Sequence, residues 1–468
     1  ETKENQYNWG YDPLNYNVPE GSYSTNPEDG NVRVNEYKQM VQTLHKNNIR
    51  VVMDVVYNHT YNVDGSNFQK LVPDYYYRKS GDSYSNGSGC GNETATERSM
   101  MRKFIVDSVV YWAKEYHIDG FRFDLMGVLD IETMNQVRQA LDEIDPSILI
   151  YGEGWTGGES SYEESDRVVK ANISKVSGVA AFSDDFRDGL KGNVFDEFDT
   201  GFISGKDAYN EDIKLGIVGA IAHPQIDTQA LTKADSAWAK DPTQCVNYAS
   251  CHDNLTLWDK IQVSAKDTSE EEKIAMNKLA AAMTFTSQGI PFLQAGEEFL
   301  RTKPSASEDG IFDANSYSSP DSTNSLKWNT LKKNEDVVSY YKGLIAFRKA
   351  HAALRMTSAE DVKANLVFDE NVKGNAIAYT ITGKSNGEVA DTIMVIHNGN
   401  DKAITVSLPD DEKWSVYING EKAGTEVIEE VSGDVSVEKL STMVLVKESG
   451  TAKLINAAKQ VDSRIYIG

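Results

Sequence analysis

The chain is poor in three things. It has only three cysteines, Cys90, Cys245 and Cys251, which is too few for a disulfide framework. Cys245 and Cys251 flank a predicted strand, so a bridge between them is open but not indicated. The cysteine count leaves the compartment open, with an extracellular or cell-surface location favoured over the cytoplasm. No apolar run reaches the roughly 18 residues that span a bilayer, so no membrane span is expected. Positive charge is scarce as well: 47 basic against 71 acidic residues give a net charge of −24. Such a chain repels phosphate backbones, so nucleic acid is excluded as a natural partner.

Metal signals are equally thin. There is no H-E-x-x-H, no EF-hand loop and no zinc-type Cys/His cluster. No cofactor is required, and calcium at loop carboxylates and carbonyls is the one metal left open. His45, His117 and His223 have no partner pattern and read as structural or solvated. What the chain does have is aromatic surface, with 7 Trp, 23 Tyr and 15 Phe. Tyr and Trp join a flat apolar face to a polar tip, which suits sugar rings, although most such residues serve cores.

The first two-thirds alternates helical and strand periodicities. Tyr37, Met40, Val41 and Leu44 recur at helical spacing, and the apolar run 49–56 follows as a strand. Tyr61 to Ala95 is a loop of about 35 residues, a length that is usually functional or disordered. Met101, Phe104, Ile105, Ser108 and Trp112 mark the next helix. Further strands are expected at 118–123, 148–152, 179–182, 246–250 and 290–294, mostly with helices between them. That order predicts an α/β fold with parallel strands and crossover helices. From Leu354 short strands and turns follow, at 376–382, 392–397, 403–408, 414–418 and 442–447, which predicts a small antiparallel β-sandwich. Residues from about Thr451 read as a tail.

Acidic residues stand at the C-terminal ends of successive expected strands. Asp124 ends Gly120-Phe-Arg-Phe-Asp, and Glu153 follows Ile148–Gly152. In a parallel barrel those ends share the face where active sites are built. Asp54, Asn58 and His59 end an earlier strand, and His252 and Asp253 a later one. Cleaving a glycosidic bond with retention needs a nucleophilic carboxylate and a protonated acid about 5–5.5 Å apart. Arg122 lies two positions before Asp124, on the same side of an extended strand, where it can orient the nucleophile. Glu153 would need a raised pKa to hold its proton, and Trp155 is placed to desolvate it. A competing pattern, G-x-G-x-x-G over Gly152–Gly157, also follows a strand. It places a Glu among the glycines and continues as loop, so a pyrophosphate site is not expected.

These clusters, in this order, resemble glycoside hydrolase family 13, the α-amylase superfamily. Asp54-Val-Val-Tyr-Asn58-His59, Gly120 to Leu125, Glu153-Gly154-Trp155 and His252-Asp253-Asn254 look like its four signatures. Tyr7 to Pro13, Phe182 to Gly192, Ala295 to Lys303, Asn315-Ser316-Tyr317 with Asp321 and Trp328, and Phe347 to His351 are similar to segments of type I pullulanases. The resemblance implies Asp124 as nucleophile, Glu153 as acid/base and Asp253 as transition-state stabiliser. It implies Tyr11, His59, Arg122, Trp155, His252, Asp321 and Asn324 as substrate-binding residues, and hydrolysis of α-1,6 branches in pullulan, amylopectin or limit dextrins. The alternatives are an α-1,4-acting amylase or branching enzyme, and a catalytically silent starch-binding protein.

The resemblance further implies a (β/α)8 TIM barrel over 1–353, a sandwich over 354–450 and a tail over 451–468. In the family the Tyr-Asn-Trp-Gly-Tyr segment follows the second barrel strand, yet here it begins at residue 7. The expectation is therefore a barrel lacking its first two strands in this chain. A separate N-terminal fragment would be needed to close it, and these residues alone would be poorly soluble or inactive.

Overall fold

A computed structural model describes residues 7–306, 311–382 and 384–447, and the backbone of 465–467. Most of the expected tail lies outside the described residues. The chain forms two compact units: Gly10–Phe182 with the C-terminal residues, and Ser183 onward with the N-terminal segment up to Trp9.

In the unit that starts at Gly10, helix α1 (Gly30–Lys46) leads into strand β1 (Ile49–Val55). Asp29 caps the helix by accepting from the Asn31 amide. Helix α2 (Ser99–Tyr116), strand β2 (Gly120–Phe123), helix α3 (Ile131–Asp142), strand β3 (Leu149–Gly152) and strand β4 (Ala180–Phe182) follow. Helix α2 buries Met101, Ile105, Ser108, Val109, Trp112, Ala113 and Tyr116, the one-sided stripe that its spacing predicts. Strands β1, β2, β3 and β4 pair in that order, all parallel. The register sets Asp54 opposite Arg122 and Arg122 opposite Tyr151. Residues Ile465–Ile467 add a short parallel strand on the other side of β1.

Carboxylates at the two ends of these strands do different work. Asp119, just before β2, accepts from the Val51 amide at 2.7 Å and pairs with His45 at 2.7 Å. His45 thus has a specific partner that its sequence context did not disclose. The opposite, C-terminal ends carry the candidate catalytic groups.

The long 61–95 segment is mostly exposed, but it buries a few anchoring residues. Tyr77, Glu93 and Thr94 are fully enclosed. The Thr94 amide donates to Asn58 O at 2.9 Å, and the Thr94 hydroxyl to Tyr57 O at 2.6 Å, so this segment braces the chain leaving β1.

The other unit opens on helix α4 (Asp184–Lys191) and helix α5 (Asn210–Ile217), followed by strand β5 (Cys245–Asn247). Helix α6 (Leu257–Ser264), helix α7 (Glu270–Thr286), strand β6 (Ile290–Pro291) and helix α8 (Glu335–Ala350) come next. Strands β5 and β6 pair in parallel. Helix α7 starts with a reciprocal capping box between Ser269 and Glu272 and is buried along most of its length from Met276 on.

The C-terminal part is antiparallel. Strands β7 (Leu366–Phe368), β8 (Ala376–Thr382), β9 (Thr392–Asn398), β10 (Ile404–Ser407), β11 (Trp414–Ile418), β12 (Glu429–Val431), β13 (Asp434–Val437) and β14 (Ser441–Lys447) make two sheets. Their orders are β12-β11-β14-β9-β8-β7 and β10-β13. Alternate residues of both sheets meet in one core: Met394 and Ile396, Trp414 and Val416, and Met443 and Leu445 pack with Val406, Val435 and Val437. The structure therefore combines a parallel sheet flanked by helices with C-terminal antiparallel sheets.

Candidate active site

Six of the expected site residues, Tyr11, His59, Arg122, Asp124, Glu153 and Trp155, belong to the unit that starts at Gly10. The first five gather at the C-terminal ends of β1, β2 and β3, around Arg122. Its Nη1 lies 2.9 Å from Asp124 Oδ1 and 2.9 Å from Asp54 Oδ1. Its Nη2 lies 2.7 Å from Glu153 Oε1. Burial works against the charged guanidinium, but Asp54, Glu153, Tyr11 and Asp124 outweigh it and hold Arg122 protonated. The two candidate catalytic carboxylates are thus held by the two ends of one planar group. The i, i+2 relation of Arg122 and Asp124 puts both on the same side, as the strand spacing predicts.

Asn58 is a member that the sequence reading noted at the end of the strand without giving it a role. Its Nδ2 donates to Asp124 Oδ2 at 2.9 Å and to Asp124 O at 2.7 Å. Asn58 Oδ1 is then left to accept, and His59 Nδ1 lies 2.6 Å away. The proton must sit on Nδ1, which leaves Nε2 as an acceptor for a hydroxyl. Burial lowers the His59 pKa against the pull of Asp124 and Asp12, so the ring is neutral at pH 7. Tyr16 fixes the same residue from behind, its hydroxyl donating to His59 O at 2.5 Å.

Glu153 is 4% exposed and accepts from the Leu125 amide at 2.9 Å. Leu125 directly follows Asp124 and adopts φ 40°, ψ 50°, a left-handed conformation rare for a branched side chain. Glu153 is expected to hold a proton, whereas its partners here, a guanidinium and an amide, suit an ionised carboxylate. Trp155 is half-buried. Tyr11 donates its hydroxyl to Asp54, and its ring lies 5.3 Å from the Arg122 guanidinium. Burial pushes its phenol well above the usual range, so it stays a neutral donor.

The glycines of the G-x-G-x-x-G pattern have a packing role. A Cβ on Gly152 would stand 2.5 Å from Phe123 O, and one on Gly157 would stand 2.3 Å from Ser88 O. They let backbone approach backbone. Among the described residues no group of three or more His, Cys, Asp or Glu is placed to hold a metal ion.

The other unit carries His252, Asp253, Asp321 and Asn324. His252 Nε2 is 3.6 Å from Asp253 Oδ2, and both side chains reach solvent. The Trp9 ring packs on the His252 imidazole at 4.6 Å. Asp321 is exposed at the start of a short helical turn, Asp321–Asn324. Asn324 is buried: its Oδ1 accepts from Ser316, and its Nδ2 donates to Ser316 O and Ser319 O. Its amide holds a loop together. The segments 182–192 and 295–303 build a buried polar layer. Glu297 Oε2 accepts from Ser250 at 2.6 Å, and burial raises the Glu297 carboxyl to about 7. Burial lowers the neighbouring Lys191 to about 7.

Known proteins resemble this chain along most of its length. Residues 362–422 match the family model for the pullulanase all-beta domain. The pullulanase of Bacillus subtilis is 38% identical over 440 residues, which cover 94% of this chain and 59% of that protein. The structure of the Bacillus acidopullulyticus pullulanase superposes with a TM-score of 0.88 at 43% identity, covering 95% of this chain and 52% of the other. The chain is related by descent to the pullulanases. The resemblance to glycoside hydrolase family 13, most like type I pullulanases, is thereby borne out. A pullulanase from Paenibacillus barengoltzii, solved with maltohexaose and α-cyclodextrin, gives a TM-score of 0.86 at 44% identity over 95% of this chain and 66% of its own. This pullulanase relative spans a little over half the length of the first two proteins.

Proposed function

We propose that this chain carries the catalytic groups of a retaining glycoside hydrolase that cleaves α-1,6 branch linkages in pullulan, amylopectin and limit dextrins. The observation that carries the chemistry is the pair Asp124 and Glu153, both buried and both held by Arg122. Its likeness to pullulanases supports the linkage.

Asp124 acts as the nucleophile at the anomeric carbon, aimed by Arg122 and Asn58. Glu153 protonates the leaving oxygen, then takes a proton from the water that releases the glycosyl-enzyme. To do so it must exchange its ion pair with Arg122 for a proton as sugar displaces water from the site. The guanidinium then stays with Asp124 and Asp54. His59 Nε2 accepts a sugar hydroxyl, and the Tyr11 ring offers a stacking face. Asp253 serves as the third carboxylate and His252 as its sugar-binding neighbour, with Trp155 and Asp321 at adjoining subsites. Asn324 joins them through the loop it holds. The parallel strands are read as strands of a (β/α)8 barrel, which their crossover helices and the carboxylates at their C-terminal ends support.

Incubation with pullulan tests the reading: release of maltotriose is expected. Panose as the main product would redirect it to an α-1,4-acting amylase. Binding without any cleavage would make the chain a starch-binding protein.

A further inference from the structure

We propose that Lys303 is a positioning residue that holds the His252–Asp253 segment in its working conformation. The inference rests on the reading of His252 and Asp253 as sugar-binding groups. That segment leaves β5 without sheet or helix, and Asn254 turns it with φ 59°. Its course is therefore set by side chains from elsewhere. Lys303 is 1% exposed and fixed along its main chain: its amide donates to Asp259 Oδ2 at 2.8 Å, and its carbonyl accepts from the Asp313 amide at 2.8 Å. Its Nζ donates to His252 O at 2.8 Å. The same ammonium lies 5.6 Å from the centre of the Trp9 ring, which itself packs on His252. One cation thus ties the backbone of His252 and, through Trp9, the ring of His252.

Such a cation is expensive. Burial pulls the Lys303 pKa down to about 8, although Cys251, Asp259, Asp313 and Asp253 oppose the shift. An apolar side chain of equal length would fill the space without that penalty. The ammonium adds a donor aimed at His252 O.

The test is made in the full-length protein with Lys303→Met, which keeps the volume and removes the donor, and Lys303→Arg, which keeps the charge. Lys303→Met is expected to lower kcat on pullulan about 10- to 100-fold with KM changed less than threefold, because contacts that tighten in the transition state are the ones lost. Hydrogen exchange at the amides of 252–254 should quicken while that of helix α7 is unchanged. Lys303→Arg should restore most of the rate and move the alkaline limb of the pH profile upwards. A Lys303→Met enzyme within threefold of wild type, with an unchanged alkaline limb, overturns the proposal. If Lys303→Met does not fold, an unmoved alkaline limb in Lys303→Arg overturns it instead. The exchange readout needs no turnover. A wild type inert on every α-glucan would sink the hydrolase reading, and the positioning role would still stand or fall on exchange.

Discussion

Arg122 meets three carboxylates at distances of 2.7–2.9 Å, so each substitution in this group redistributes charge among the others. Replacing Asp124 by Asn keeps the shape and removes the nucleophile. Activity on pullulan is expected to fall roughly 10⁴-fold or more, with maltotriose binding retained in a calorimetric titration. Unchanged turnover would remove Asp124 from the mechanism. Asn58→Ala should be milder. It deletes a charge-assisted hydrogen bond to Asp124 and frees the His59 tautomer, at a cost of about 1.5–3 kcal/mol, or 10- to 100-fold in kcat/KM. Equal rates for wild type and Asn58→Ala would show that the Asn58 contacts to Asp124 and His59 do not serve catalysis. The residue types of the site were legible in the sequence because strand ends and the i, i+2 rule place Arg122 beside Asp124. The Leu125 amide was not, because a reading of side chains overlooks a backbone donor.

The strands at 49–55, 120–123 and 149–152 were legible for a simple reason. Each is a short apolar run between helical periodicities. The expected strand through Ser250 is shorter: β5 stops at Asn247, and the chain then bends towards Asp253 under side-chain control. The strands at 429–431 and 434–437 were missed. Glu429 and Glu430 are exposed, and in 434–437 only alternate residues are buried, so neither carries an apolar run. Packing between elements gives a sharper test than their existence. Gly343 lies in α8 where an added Cβ would stand 2.0 Å from Ala423 O. Gly343→Ala cannot be absorbed by a side-chain rotation and should destabilise by about 1–3 kcal/mol, despite its better helix propensity. A thermal melt that shows Tm unchanged or raised would mean that the helix shifts freely.

Across the whole molecule, 71 acidic residues against 47 basic ones make the acid side of the stability curve informative. Glu388 stands out there. Burial alone would raise its pKa, but His351 and the amides of Ala390 and Ala353 outweigh burial and bring it down to about 2. A carboxyl whose folded pKa is depressed stabilises the native state above its unfolded pKa, and that stability is lost as pH falls through the folded value. Glu388 should thus contribute roughly 3 kcal/mol at neutral pH, fading between about pH 4.5 and 2. Glu388→Gln is expected to be less stable at pH 7 and to show a flatter decline over that window, measured by urea unfolding at stepped pH. A parallel decline in both proteins would assign the acid transition to other groups.

The shared guanidinium has a consequence for inhibitor choice. Asp54, Asp124 and Glu153 carry three negative charges when ionised, and Arg122 returns one, so this cluster is a sink for cations. A sugar mimic with a protonated ring nitrogen would compete for the same carboxylate oxygens as Arg122 and gain from them an attraction that a neutral glucan lacks. Its affinity should then fall as ionic strength rises, while the binding of neutral maltooligosaccharides stays flat. Electrostatics would thus separate, at one cluster, cationic sugar mimics from neutral glucans.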